Sequence, residues 1–246
     1  MGSILANIFY FPVLNLLVWF YNTIPGQNII FAIIALTVVS RLALYPLFKK
    51  SVQSQKAMQN LQPKINDLKT KHGDNKETMG KELMELYKQE KINPMSSCLP
   101  LLIQLPFLWA IFSVFRNGLS NKALTGLYPF VANPGIINSV VFGWFDLSKP
   151  NLVLAILAAA AQFLQTKLMP QPPKSADRKL DAAAMMSKQM MFLMPVMTLF
   201  ICLSLPSGLT FYWFLSTLLM VGQQWWVYRN DKQPKNKLIE AEIVNK

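Results

Sequence analysis

Long apolar stretches alternate along the chain with shorter polar ones that hold nearly all of the charge. Residues 4–24 are apolar and aromatic but interrupted by Asn7, Pro12, Asn15 and Asn22, and Pro25-Gly26 closes them. This predicts an interfacial amphipathic helix on the outer surface, with Tyr10, Trp19 and Tyr21 at the headgroup level. The alternative is a first span, since about 20 residues reach across a bilayer. A clear span runs over 27–48 and stops at Lys49-Lys50. Four more follow at about 95–115, 150–169, 188–205 and 209–228. Pro94 suits the first position of the second span, and Pro100, Pro106 and Pro195 are expected to kink their helices. Pro170-Gln171-Pro172-Pro173 ends the third span, Pro206-Ser207-Gly208 turns between the fourth and fifth, and 116–149 reads as a loop or shallow interfacial segment. The fold class is all-α, a polytopic membrane protein. It divides into an external helix (1–26), a five-span core (27–228) and a short basic tail (229–246).

The polar stretch 49–93 carries its own periodicity. Val52, Met58, Leu61, Ile65 and Leu68 make one narrow apolar stripe, and Met79, Leu83 and Leu86 make another. Two short helices can pair as a hairpin around His72-Gly73-Asp74-Asn75. Asp74 with Glu77 has the spacing of a capping box, and Pro63 should bend the first arm. The candidate contact residues are Met58, Leu61, Pro63, Leu86 and Tyr87. The hairpin either meets incoming chains and their targeting machinery or is a solvated charged hairpin tethered to the membrane.

Composition agrees with burial in lipid: 52% of residues are hydrophobic and 15% charged. The net charge of +12 would suit nucleic acid in a soluble protein, but here it is distributed as a topological label. Of the 24 basic residues, 20 fall in the hairpin, the 167–188 region and the tail, and only Arg116, Lys122 and Lys149 lie on the other side. By the positive-inside rule the hairpin and C-terminus are cytoplasmic and the N-terminus is outside. No direct nucleic-acid specificity is expected. Cys98 and Cys202 form no framework, and a single histidine, His72, argues against a metal site; neither a metal nor a cofactor is expected. Aspartyl, metal or serine proteolysis within the membrane lacks its residues, so an enzyme is not expected.

One basic residue fits neither side. Arg41 sits in the first span, eight residues before Lys49, about 12 Å from the inner boundary at 1.5 Å per residue. An arginine there costs roughly 2.5–3.5 kcal/mol on insertion scales, so it should face protein or water, or else snorkel to the inner headgroups. All 12 acidic residues lie in aqueous segments, leaving Thr37, Ser40, Gln104, Gln162, Gln165, Gln223 and Gln224 as polar, neutral company. Each glutamine alone reads as an ordinary interhelical hydrogen bond. Together with an unpaired arginine they suggest a hydrated cavity, open to the cytoplasm, suited to an anionic guest. Met185, Met186, Met190, Met191, Met194 and Met197 fill a core or accommodate varied apolar partners.

The runs TVVSRLALYPLFKKS, LQPKINDLK, LYKQEKINPMSSCLPLLIQLPF, WFDLSKP and LPSGLTFYWFLSTLLMVGQQ resemble, in order, the YidC/Oxa/Alb family of membrane protein insertases, over about residues 12–228. The resemblance implies a membrane insertase and chaperone. Such a protein receives hydrophobic segments of nascent proteins in a hydrophilic groove open to the cytoplasm and releases them sideways into the bilayer. The family's groove arginine falls on Arg41, its threonine on Thr37, its second-span glutamine on Gln104 and its fifth-span aromatic pair on Tyr212 and Trp213, with Ser216 on the same span. The partners implied are nascent membrane proteins, the ribosome or targeting machinery, and the phospholipid bilayer, with the Sec translocon as a further candidate. The large extracytoplasmic domain and extra N-terminal span of many Gram-negative members are missing, which implies the minimal architecture or a shortened chain. The tail is much shorter than the basic tail that mitochondrial members use on ribosomes. The location expected is the bacterial inner membrane. The rival reading is a small transporter or channel with a positively charged cavity.

Overall fold

The computed structural model describes residues 4, 6–72, 75–93, 99–116, 123–168 and 182–230. After a π-helical turn Ala6–Tyr10 come α1 (Phe11–Thr23), α2 (Ile29–Ala43), α3 (Tyr45–Asn60), α4 (Gln62–His72), α5 (Lys76–Gln89) and α6 (Leu99–Arg116). A 3-10 turn Ala123–Gly126 and a two-stranded antiparallel ribbon, β1 (Val140–Val141) and β2 (Phe145–Asp146), lead to α7 (Leu152–Leu168), α8 (Ala182–Ser204) and α9 (Ser207–Asn230). The body is helical, as expected of an all-α chain; the ribbon was not anticipated. Asp74, Pro94, the proline run after α7 and the basic tail from residue 231 on lie outside the described residues.

Pro12 opens α1, where its missing N–H is no loss, and Ile24 N donates to Phe20 O at its end. The helix packs on α2 and α6 with Leu14, Leu17 and Val18 inside. The expectation of three aromatics at headgroup level needs correction. Tyr21 is 4% exposed and its hydroxyl accepts from Asn138 N at 3.5 Å, Tyr10 is half-buried, and Trp19 alone of the three is exposed. Asn15 is no mere interruption. Its Nδ2 donates to Phe11 O (2.8 Å) and Gly126 O (3.1 Å), and its Oδ1 accepts from Tyr128 N (2.6 Å).

The expected straight span over 27–48 is broken. Asn28 caps α2 by accepting from Ile30 N at 3.0 Å, the helix ends at Ala43, and α3 leaves at a bend of 62°. Pro46 is the cause: it has no N–H for Leu42 O, and its ring clashes with that carbonyl in a straight helix. Phe48 and Val52 of α3 then fold onto Met220 and Val227 of α9. Pro63 acts similarly, ending α3 before Leu61. The second arm is capped by Asn75, whose Oδ1 accepts from Thr78 N at 3.1 Å, and this replaces the expected Asp74 cap. Asn75 stands directly before the first helical residue, where a short acceptor reaches the third N–H.

Pro106 and Pro195 lie inside α6 and α8. Pro100 is the second described residue of α6, next to residues 94–98, which lie outside the described residues. Helix α7 turns Ala155, Ala158 and Ala161 inward against α8 and α9, small side chains that let the backbones approach. Gly208 begins α9 against the Phe115 ring, with no room for a Cβ. Among the described residues no single helix is long and apolar enough to cross a membrane alone; the α2–α3 pair reaches that measure together, and α7 and Met191–Ser204 are shorter apolar helices.

Candidate functional site

Arg41 occupies the last turn of α2, just before the Pro46 break, where helix-end carbonyls favour a cation. It is 8% exposed, so the guanidinium lies within the helix packing and not on an open wall. Its Nε donates to Ser216 Oγ at 3.0 Å, and Nη2 donates to the same hydroxyl and to Gln104 Oε1 at 2.8 Å. Gln104 Nε2 in turn donates to the Tyr212 hydroxyl at 3.1 Å. One cation thereby joins α2, α6 and α9. Among the described residues no carboxylate pairs with it, and Nη1 donates to none of them.

Spacing along α9 explains which residues meet. Tyr212 and Ser216 are four apart and share a face, which turns both toward Arg41. Trp213 is one residue on and packs instead against Ala155, Ala158 and Cys202 of α7 and α8. The family's aromatic pair is therefore divided, and only Tyr212 joins the cluster. Thr37 is fully buried one turn before Arg41, but its hydroxyl donates back to Ile33 O at 2.6 Å; Ser40 Oγ likewise donates to Thr37 O at 2.9 Å. Gln165 is buried against Met220, and Gln162 is half-buried on α7. Among the described residues neither hydrogen-bonds to the arginine cluster. Gln223 does reach it, its Nε2 donating to Arg41 O at 3.4 Å, while its Oε1 is buried without a hydrogen bond among the described residues. The feature missed in the sequence is the break itself, and its signal was Pro46 five residues after Arg41.

The hairpin is held across its arms by Lys64–Glu90 (2.7 Å); His72 Nε2 lies 3.0 Å from Glu82 Oε2 without making a hydrogen bond among the described residues. Leu61 is buried at the break, Met58, Leu86 and Tyr87 are half-buried, and Pro63 is exposed. Leu86 lines a cleft of about 470 Å³ with Lys64, Lys71 and Glu82 between α4 and α5. Burial pushes the Tyr87 phenol above its ordinary range. The side chains of Met185, Met186 and Met190 lie outside the described residues; Met191 and Met194 are half-buried and Met197 is exposed.

A cation on α2 bound to neutral acceptors in α6 and α9 can attract an anionic group, and among the described residues around it no nucleophile is paired with a base. A family model described as 60Kd inner membrane protein matches residues 19–235. A membrane protein insertase YidC of Nitratidesulfovibrio vulgaris (strain Miyazaki F) is 34% identical over 89% of this chain and 38% of its own length. Another, of Actinobacillus pleuropneumoniae serotype 3, is 35% identical over 89% of this chain and 36% of its own. A third, of Lawsonia intracellularis, is 32% identical over 93% and 39%. The chain thus spans well under half the length of these curated relatives. The match covers both the arginine helix and the helices that hold it, and the chain belongs to the 60Kd inner membrane protein family.

Proposed function

We propose that this protein is a membrane protein insertase in which Arg41 receives the polar flank of an apolar segment and lowers the barrier to its crossing. The observation that carries this is the buried arginine with no carboxylate partner among the described residues, tied to Ser216 and Gln104 across three helices. The relatives' names support the same reading and do not favour a transporter or channel. Gln104, which donates to Tyr212 while accepting from Arg41, is the latch: parting α6 from α9 there exposes the cation. An acidic flank then finds the guanidinium donors in place, and the apolar part leaves along α6 and α9 into lipid. Thr37, Ser40, Gln162, Gln165 and Ser216 are the polar lining, and no bond is made or broken.

In this reading five spans cross a bacterial inner membrane: α2 with the first turns of α3, then α6, α7, α8 and α9. Residues 1–26 lie outside, and the hairpin 49–93 and the tail 229–246 face the cytoplasm. The distribution of basic residues supports that orientation. The partners in this reading are nascent membrane proteins, with the ribosome or targeting machinery delivering them to the hairpin and the Sec translocon as a further candidate.

Reconstitution tests it. The full chain in liposomes, given a single-span substrate with an acidic N-terminal tail, should protect that tail from added protease. Arg41→Ala should reduce protection at least tenfold, about the 1.4 kcal/mol equivalent of one charged hydrogen bond, and Arg41→Lys should retain part of it. Equal losses in both variants would reject a charge role, and no protection by the unmodified chain would reject the insertase.

A further inference from the structure

The loop at the end of the molecule away from the hairpin shows an uncommon surface. The two strands of the ribbon meet through a three-residue tip, Phe142-Gly143-Trp144, in which Phe142 holds a φ of +55° and Gly143 one of +79°. A bulky residue is rarely found with positive φ, because its Cβ crowds the neighbouring carbonyl. At this tip Phe142 is 66% exposed and Trp144 79%, with Val140 exposed beside them. The tip is not a loose excursion. Leu147 at its base is fully buried, Ser207 N and Gly208 N donate to Lys149 O and Leu147 O at 2.9 Å each, and Ser207 Oγ donates to Asp146 O at 3.1 Å. Asp146 is fixed as well, accepting from Ser148 Oγ (2.6 Å), Ser148 N (2.9 Å) and Ser139 Oγ (3.1 Å). These bonds, the Ser148 hydroxyl first, hold its carboxyl at about 2.

We infer that the 140–146 ribbon is a rigid membrane anchor that seats Phe142 and Trp144 in the headgroup layer of the leaflet at that end of the molecule. Two further observations select lipid as the occupant. The only charged residues of 123–151, Asp146 and Lys149, pair with each other at 3.4 Å, so the ribbon brings no net charge to the interface. Directly after it, Leu152 and Val153 open α7 with 59% and 64% of their surface exposed, so the apolar tip continues into the outward-facing apolar surface of α7. Tryptophan beside phenylalanine, carried on a short polar-based turn, has the chemistry of an interfacial belt, an apolar body with a polar N–H. The inference rests on the chain's membrane family alone, not on the insertase reading.

Nitroxide labels placed by Phe142→Cys and by Trp144→Cys, in a Cys98→Ala/Cys202→Ala background reconstituted in phosphatidylglycerol/phosphatidylethanolamine vesicles, read the environment directly. Val153→Cys supplies the lipid reference and Glu85→Cys the water reference. At both tip positions the ratio of collision with oxygen to collision with a water-soluble nickel chelate should exceed the Glu85 value several-fold and approach that at Val153. A ratio equal to that at Glu85 places the tip in water and overturns the proposal; labels reached by neither reagent place it under protein and overturn it equally. Should the labelled variants not fold, lipids brominated high on the acyl chain provide a second reading on the unlabelled protein. The fluorescence difference between the unmodified chain and Trp144→Phe should be quenched by them, and an unquenched difference overturns the anchor.

Discussion

Arg41 keeps its charge through hydroxyl and amide acceptors and a helix end, a combination that stabilises a cation without neutralising it. Ser216 contributes most directly, since two guanidinium nitrogens donate to one oxygen. Ser216→Ala should therefore lower stability by about 1.5–3 kcal/mol, the usual range for a hydrogen bond to a charged group, measured by denaturant unfolding in micelles. In an Arg41→Ala background the same change should cost far less; equal costs in the two backgrounds would reduce Ser216 to a packing role. Arg41 was legible because a charge inside an apolar run stands out, and Gln104 because it is polar in a stretch of leucines. Side-chain direction on α9 was not. Its residues are apolar or aromatic nearly all round, so nothing in the pattern separates Tyr212 from Trp213, although successive residues point about 100° apart. Only the packing of α7 and α8 against one side resolves them.

The break between α2 and α3 shows what hydropathy hides. From Ile29 to Phe48 the chain is apolar but for Thr37, Ser40 and Arg41, so hydropathy gives one span, while a single imino acid divides it. Pro46→Ala restores the N–H toward Leu42 O, and the helix should straighten. Pulsed dipolar spectroscopy between labels at Phe31 and Gln59 should then report a longer distance than in the unmodified chain; an unchanged distance would assign the 62° bend to the packing of Phe48 and Val52 on α9 instead. Caps were legible to within one residue, as helix starts usually are: Asp74 was expected where Asn75 serves, because adjacent short polar side chains offer the same acceptor. Prolines were legible as breaks but not as to kind. Pro46 ends one helix and starts the next, whereas Pro106 is carried inside a helix that continues to Arg116.

The core of the whole molecule is built where distant stretches converge: α1, α2, α6, the ribbon loop and the start of α9 share one apolar cluster. Its polar keystone is Asn15, 3% exposed. Asn15→Leu would leave Gly126 O and Tyr128 N without that partner, at about 1–3 kcal/mol for each group left unsatisfied in the interior. The expected result is protease cleavage within 11–23 at a concentration that leaves the unmodified chain intact; identical digestion patterns would show that apolar packing alone holds α1. In the sequence Asn15 looked like a flaw in an apolar stretch, since its partners are main-chain groups with no signature of their own. They lie 111 and 113 residues further along the chain. At a synthesis rate of about 5–20 residues per second, roughly 6–23 seconds separate the appearance of Asn15 from that of its partners. The N-terminal helix can meet α2 at once, but it can be locked only after the hairpin, α6 and the turn beyond it have been made. During that interval this protein, on its way into the membrane, is itself an unfinished chain with a buried-to-be amide exposed.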